Sequence, residues 1–285
     1  MPLPSTLVPA RPFRCALALL AFLLGPAVAR AQRPQLPPEQ ASAWNAAAKA
    51  LRAAAEEQKQ GHRDAALKLV DQAAEAAKPL PPTAATVWLN IARAYHQLDA
   101  VTLAERVLPN AGTGPAIDSL AAKIKRSRRI YGLVSPAAIA PDHEPDYIHT
   151  FDALSLALAA KHLAQSDLDA ALATYPKAPG LKMIACEARL RANKRAQAEP
   201  LCRAAVSEAP ELARAHYLLG LAASQAGRRR EAIESLRKAV ELDPEDAAAW
   251  PSLFELYRKS DRRQDADQLA DEYSKRFGKP MPAAE

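Results

Sequence analysis

The stretch ARAHYLLGLAASQAGRRREAIESLRKAVELDP, Ala213 to Pro244, reads as two amphipathic helices joined by a tight turn. His216, Leu219, Gly220 and Ala223 recur three or four residues apart, which places them on one face of a first helix. Ala232, Leu236 and Ala239 do the same on a second helix, which Pro244 ends. Gly227 stands between them, where a reversing chain needs a residue free to adopt φ > 0. Small residues at Gly220, Ala232 and Ala239 allow close backbone approach, and Leu219 and Leu236 fill the remaining space. One such hairpin leaves an apolar face uncovered, so it predicts neighbours of the same kind.

The composition agrees with an all-helical chain. Apolar residues make up 49% of the 285 but aromatic ones only 5%, so Ala and Leu carry the core. Nine glycines and few β-branched runs argue for helices over sheets. Residues 1–31 stand apart: Arg11 and Arg14 precede the apolar run Cys15 to Leu24, followed by Gly25-Pro26 and Ala29-Arg30-Ala31. This order predicts a secretory signal peptide cleaved after Ala31, hence a periplasmic or secreted protein. An uncleaved anchor is the alternative, although the apolar run falls short of the roughly 20 residues of a membrane span. No other stretch suits a span. Loss of residues 1–31, with three arginines and no acid, takes the formal charge from +6 to +3, which gives no electrostatic case for nucleic acid.

Along the chain, residues 32–40 read as a Pro-rich tether and 41–109 as a pair of helical hairpins. The first hairpin turns at Gly61; the second buries Trp88, Ile91, Ala92 and Tyr95, with Ala104 opposite. Residues 116–145 read as one helix to Tyr131, with Ile117, Leu120, Ala121 and Ile124 in phase, then a Pro-containing linker. From 146 to 278 the register is regular, and 279–285 form a tail. Ala164, Ala198, Ala232 and Ala266 recur every 34 residues. So do Phe151, Ala185, Leu219 and Leu253; Leu168, Cys202, Leu236 and Ala270; and Pro176, Pro210 and Pro244. Four columns in one phase make this an array of four repeats.

A helix-turn-helix unit of this length and pattern resembles the tetratricopeptide repeat. The resemblance rests on Leu219, Gly220, Ala232, Leu236, Ala239 and Pro244 in one copy, and on Trp250, Leu253, Tyr257 and Ala266 in the next. Trp88, Ile91, Ala92, Tyr95 and Ala104 carry it near the N-terminus, while Asp152 replaces a small residue in a degenerate copy. It implies a right-handed superhelical solenoid whose concave groove is lined by the first helix of each repeat. Residues at the family's groove positions are then Met183, Glu187 and Leu190, followed by Arg214, Tyr217 and Leu221, and by Glu255 and Arg258, with Arg93 and His96 in the front hairpins. The resemblance implies a protein or peptide partner. The Lys/Asn clamp with which chaperone-binding members hold a C-terminal carboxylate is absent.

Cys186 and Cys202 fall at the eighth and twenty-fourth positions of one repeat, on facing sides of its two helices. In an oxidising compartment they predict a disulfide; the alternative is a pair of buried thiols. Asp142, His143, Glu144, Asp146 and His149 cluster in the central loop, but Pro145 interrupts helical pairing of the histidines, so no metal is predicted. The basic run Lys123 to Arg129 reads as a solvated helix face. No nucleotide-binding glycine loop, zinc-binding or nucleophile-elbow motif occurs, so neither cofactor nor catalytic set is predicted. The expected function is an exported protein-interaction scaffold of cell-envelope machinery. The alternatives are an envelope enzyme or accessory subunit with its site at 142–149, and a structural role through self-association of Trp250, Phe254 and Tyr257.

Overall fold

The computed structural model describes residues 36–134 and 138–282; the predicted signal peptide lies outside them. Every regular element among these residues is helical, in the order α1 (Pro38–Lys59), α2 (Arg63–Ala77), α3 (Ala85–Gln97), α4 (Val101–Val107), α5 (Pro115–Tyr131), α6 (Glu144–Ala159), α7 (Gln165–Thr174), α8 (Pro179–Arg191), α9 (Arg195–Glu208), α10 (Ala213–Gln225), α11 (Arg229–Leu242), α12 (Ala249–Lys259) and α13 (Arg263–Phe277). Contacts divide the chain into an N-terminal unit, reaching Arg128 and including Ile139–His149, and a C-terminal unit of Arg129–Ala138 and Thr150–Glu285.

In the C-terminal unit the repeat is visible in the boundaries themselves. The second helices α9, α11 and α13 begin at residues 195, 229 and 263, and the first helices α8, α10 and α12 end at 191, 225 and 259. Helix α10 packs against α8, α9, α11 and α12. Four neighbours bury a wider arc than one amphipathic stripe, so Ala215, Tyr217, Leu218 and Ala222 join Leu219, Gly220 and Ala223 in the core. His216, expected in that stripe, is only half-buried, and its Nε2 lies 2.9 Å from the Pro210 carbonyl. A Cβ added to Gly220 would meet Leu236 Cγ at 2.7 Å, so hydrogen at this position is what lets α10 and α11 close. The corresponding pair one repeat earlier is Cys186 and Cys202, joined as a disulfide with Cα atoms 5.4 Å apart. Trp250, Tyr273 and Phe277 form an aromatic cluster at the last hairpin, with ring centroids 4.5–6.0 Å apart and Trp250 edge-on to both partners.

Among the described residues, six hairpins turn the same way. Gly61, Asp99, Lys161, Asn193, Gly227 and Asp261 are left-handed, with φ between 57° and 83°. In each case the next residue's N–H donates to the carbonyl five residues back, as Lys194 does to Arg189 at 2.8 Å, Arg228 to Ala223 at 2.9 Å and Arg262 to Tyr257 at 2.9 Å. This is the Schellman closure, which satisfies carbonyls that a helix end leaves without partners. Only two of the six turns use glycine.

One local expectation is corrected. Ala164 is exposed and precedes α7, whereas Ala198, Ala232 and Ala266 are buried. The first turn of the array closes at Lys161, two residues later than the 34-residue phase requires, and α7 starts late and stays short. Leu168 restores the register and is buried. Asp152, at a position of small residues, is accommodated because its carboxylate accepts a hydrogen bond from the Tyr131 hydroxyl at 3.3 Å.

In the N-terminal unit α1 packs on α2 and α3, and α3 on α4. Ile91, Ala92 and Tyr95 are buried as the spacing requires, but Val87 is buried and Trp88 only half-buried. The Tyr95 hydroxyl donates to Asp71 Oδ1 at 2.7 Å, joining α3 to α2; burial, followed by that bond, raises its pKa. In α5, Leu120 and Ile124 are buried, Ile117 is half-buried and Ala121 is exposed. Lys123, Lys125 and Arg126 lie on its exposed side.

Gly220 and Gly227 separate two causes of strain. Gly220→Ala is expected to cost about 1–3 kcal/mol by overpacking against Leu236. Gly227→Ala, whose Cβ would meet nothing within 4 Å, should cost about 1–2 kcal/mol through its left-handed backbone alone. Urea unfolding of both variants checks this, and an unaffected Gly220→Ala would contradict the close contact.

Candidate functional site

On the first-helix face of the C-terminal unit the predicted residues are held to very different depths. Met183, Glu187, Leu190 and Tyr217 are buried; Arg214, Leu221 and Glu255 are half-buried; Arg258 is exposed. Burial removes Met183, Leu190 and Tyr217 from an open surface: α8 and α10 touch, and these side chains belong to the core of the array. What remains accessible is Arg214, Leu221, Glu255 and Arg258, with the carboxylate of Glu187 held beneath the first of them. Glu187 accepts from Arg191 Nη2 through Oε1 and from Arg214 Nη2 through Oε2, both at 2.6 Å. The Arg214 guanidinium also lies 5.3 Å from the Tyr217 ring centroid. Burial works against the Arg214 charge, but the charge and hydrogen bond of Glu187 outweigh it and hold the pKa above the ordinary arginine value. The group is therefore a permanent cation.

Arg191 lies outside the set of expected groove residues. Its spacing of four from Glu187 marks a helical ion pair that sequence could have supplied. The Arg214 contact spans 27 residues and exists only because two repeats stack. On α12, Glu255 pairs with Arg258 at 3.6 Å and Lys259 at 3.8 Å, while the Arg258 guanidinium stands 5.9 Å from the Phe254 ring. Trp250 and Tyr257 are buried, so two of the three aromatics considered for self-association are core residues.

In the N-terminal unit Arg93 and His96 are half-buried on α3, and His96 Nε2 lies 3.2 Å from the buried Ser127 hydroxyl of α5. The 142–149 segment is split by burial. Asp142, His143, Asp146 and His149 are exposed, while Glu144 is 1% exposed and turned inward. Its carboxylate accepts from the Thr102 backbone N–H at 2.8 Å and from the Thr102 hydroxyl. Glu144 is thus engaged in capping α4. Among the described residues no group of three or more His, Cys, Asp or Glu is placed to hold a metal ion. No described helix is long and apolar enough to cross a membrane.

The fold and this face define a helical-hairpin repeat scaffold. Tetratricopeptide repeat family models match residues 51–109 and 213–246. In these segments the chain carries tetratricopeptide repeats, the unit of scaffolds for protein interactions. No curated protein matches it in sequence. Among solved structures it is similar to residues 41 to the end of MamA from Desulfovibrio magneticus RS-1, with 18% identity over 81% of this chain and 93% of that one, at a TM-score of 0.34. It is also similar to TTC0263 of Thermus thermophilus, with 20% identity over 82% and 91% of the two chains and a TM-score of 0.34. A third is YrrB, described as a tetratricopeptide protein with an unusual peptide-binding site: 17% identity, 70% and 88% covered, TM-score 0.34.

Two outcomes follow from the buried groups. Mass spectrometry of unreduced protein should find Cys186 and Cys202 resistant to alkylation, and reduction should lower stability by about 3 kcal/mol for a loop of this length; two freely alkylated thiols would refute the bond. Burial raises the Glu144 pKa above the ordinary carboxylate value, against the opposing effect of its Thr102 bonds. The folded protein therefore takes up this proton more readily than the unfolded chain. The stability that comes from binding this proton is complete below the ordinary value and is lost as pH rises through the raised one. Relative to Glu144→Gln, wild type should gain thermal stability as pH is lowered from neutrality towards the ordinary carboxylate range. A difference in melting temperature that is independent of pH would contradict this.

Proposed function

We propose that the protein is an exported scaffold of the cell envelope that holds a peptide or protein segment along the first-helix face of α8, α10 and α12. The observation that carries this reading is the Arg191–Glu187–Arg214 cluster. Charged groups are seldom removed from water without a partner, and packing alone would be served at least as well by apolar side chains here. Glu187 and Arg214 of the cluster occupy positions whose counterparts in the family face the ligand, and the same first-helix face carries half-buried Leu221 on α10 and the Glu255–Arg258 pair on α12. Such a face offers fixed donors of hydrogen bonds, one apolar contact and charges of both signs to an extended segment. Export is supported by the composition of residues 1–31, and a buried disulfide suits an oxidising compartment.

Tyr217 is a core residue, so the informative variants lie at the rim. Arg258→Glu combined with Leu221→Glu is expected to leave the melting temperature within a few degrees of wild type and to abolish capture of partners from an envelope extract. The same preparation should begin at Gln32. Unchanged capture by the double variant would remove the face as the binding surface, and an intact N-terminus would remove the cleaved signal.

A further inference from the structure

Helix α4 begins without a cap of its own. The residue before it is Ala100, whose side chain accepts nothing, and the helix has only seven residues, Val101–Val107. The first N–H groups of any helix need acceptors from elsewhere. Here the acceptor comes from 42 residues downstream, where the Glu144 carboxylate takes both the N–H and the hydroxyl of Thr102. Carboxylate at the positive end of a helix is also the favourable polarity. A second tie lies beside it: Arg63 Nη1 of α2 donates to the Pro145 carbonyl at 3.0 Å, and Arg63 Nη2 pairs with Asp99 of the α3–α4 turn at 3.6 Å. Arg128 of α5 completes the surround, 2.9 Å from Glu105 and 3.5 Å from the Thr102 hydroxyl oxygen.

From this juxtaposition we propose that residues 142–146 form a clasp, in which Glu144 and Pro145 hold the start of α4 and the α3–α4 turn closed, so that clasp and helix open and close as one unit. Both ties come from adjacent residues at the first turn of α6, so they are made and broken together. The rest of the segment suits a detachable piece: Asp142, His143 and Asp146 are exposed, while Tyr147 and Ile148 anchor it from the following turn. A helix of seven residues that loses its external cap has too few internal bonds to persist. Local opening of this kind is set by the contacts it breaks and lies below the free energy of global unfolding.

Amide hydrogen exchange on the full chain, read peptide by peptide at one pH, tests the clasp. Glu144→Ala should speed exchange of residues 101–107 at least tenfold, with residues 213–242 unchanged. Arg63→Ala, which removes the second tie from the other side, should speed the same amides. Glu144→Gln retains an acceptor oxygen for Thr102 and should restore most of the protection. Equal protection of residues 101–107 in wild type and Glu144→Ala would overturn the proposal. So would faster exchange spread evenly over both units, since that is general destabilisation and not a local clasp.

Discussion

The close approach of the two helices within each hairpin is the constraint on which the rest depends. At Gly220 it is so tight that a methyl group would overlap Leu236. The same two repeat positions are filled by Cys186 and Cys202 in one copy and by Phe254 and Ala270 in another. The first two pairs solve one geometric problem by different means, a bare hydrogen against a leucine and a covalent bond. The opposing second-helix alanines, Ala198, Ala232 and Ala266, keep the separation small throughout the C-terminal unit.

The turns obey a similar economy of backbone. Each hairpin requires one left-handed residue and one N–H to close the preceding helix, and the protein supplies glycine twice, aspartate twice, asparagine once and lysine once. Asn and Asp tolerate that conformation because short polar side chains satisfy local backbone groups. Lys161 has no such compensation, and it stands in the copy whose turn is displaced and whose second helix is short. Departure from the repeat in sequence and departure in geometry therefore coincide.

Polar groups taken out of water are where this structure goes beyond a stack of hairpins. Glu187 joins two arginines from consecutive repeats, and Glu144 supplies the start of a helix that lacks its own acceptor. Both carboxylates are engaged across the fold, one over 27 residues and one over 42. The first adds polar specificity to an otherwise Ala- and Leu-filled seam. The second makes the order of α4 depend on a segment that would otherwise read as a solvated loop.

By itself the sequence determined the helical class, the 34-residue phase and the pairing of helices, because repeated small and large apolar residues leave a strong periodic signal. It also located the facing cysteines, since their spacing follows from the repeat. It could not determine depth: Met183, Leu190 and Tyr217 occupy groove positions by register, yet neighbouring helices cover them. Nor could it determine which acid in the run from Asp142 to Asp146 turns inward, or that Arg214 reaches back to Glu187. Periodicity records which face of one helix is apolar. Only the stacking of neighbours sets how wide the buried arc becomes and which distant charges meet within it.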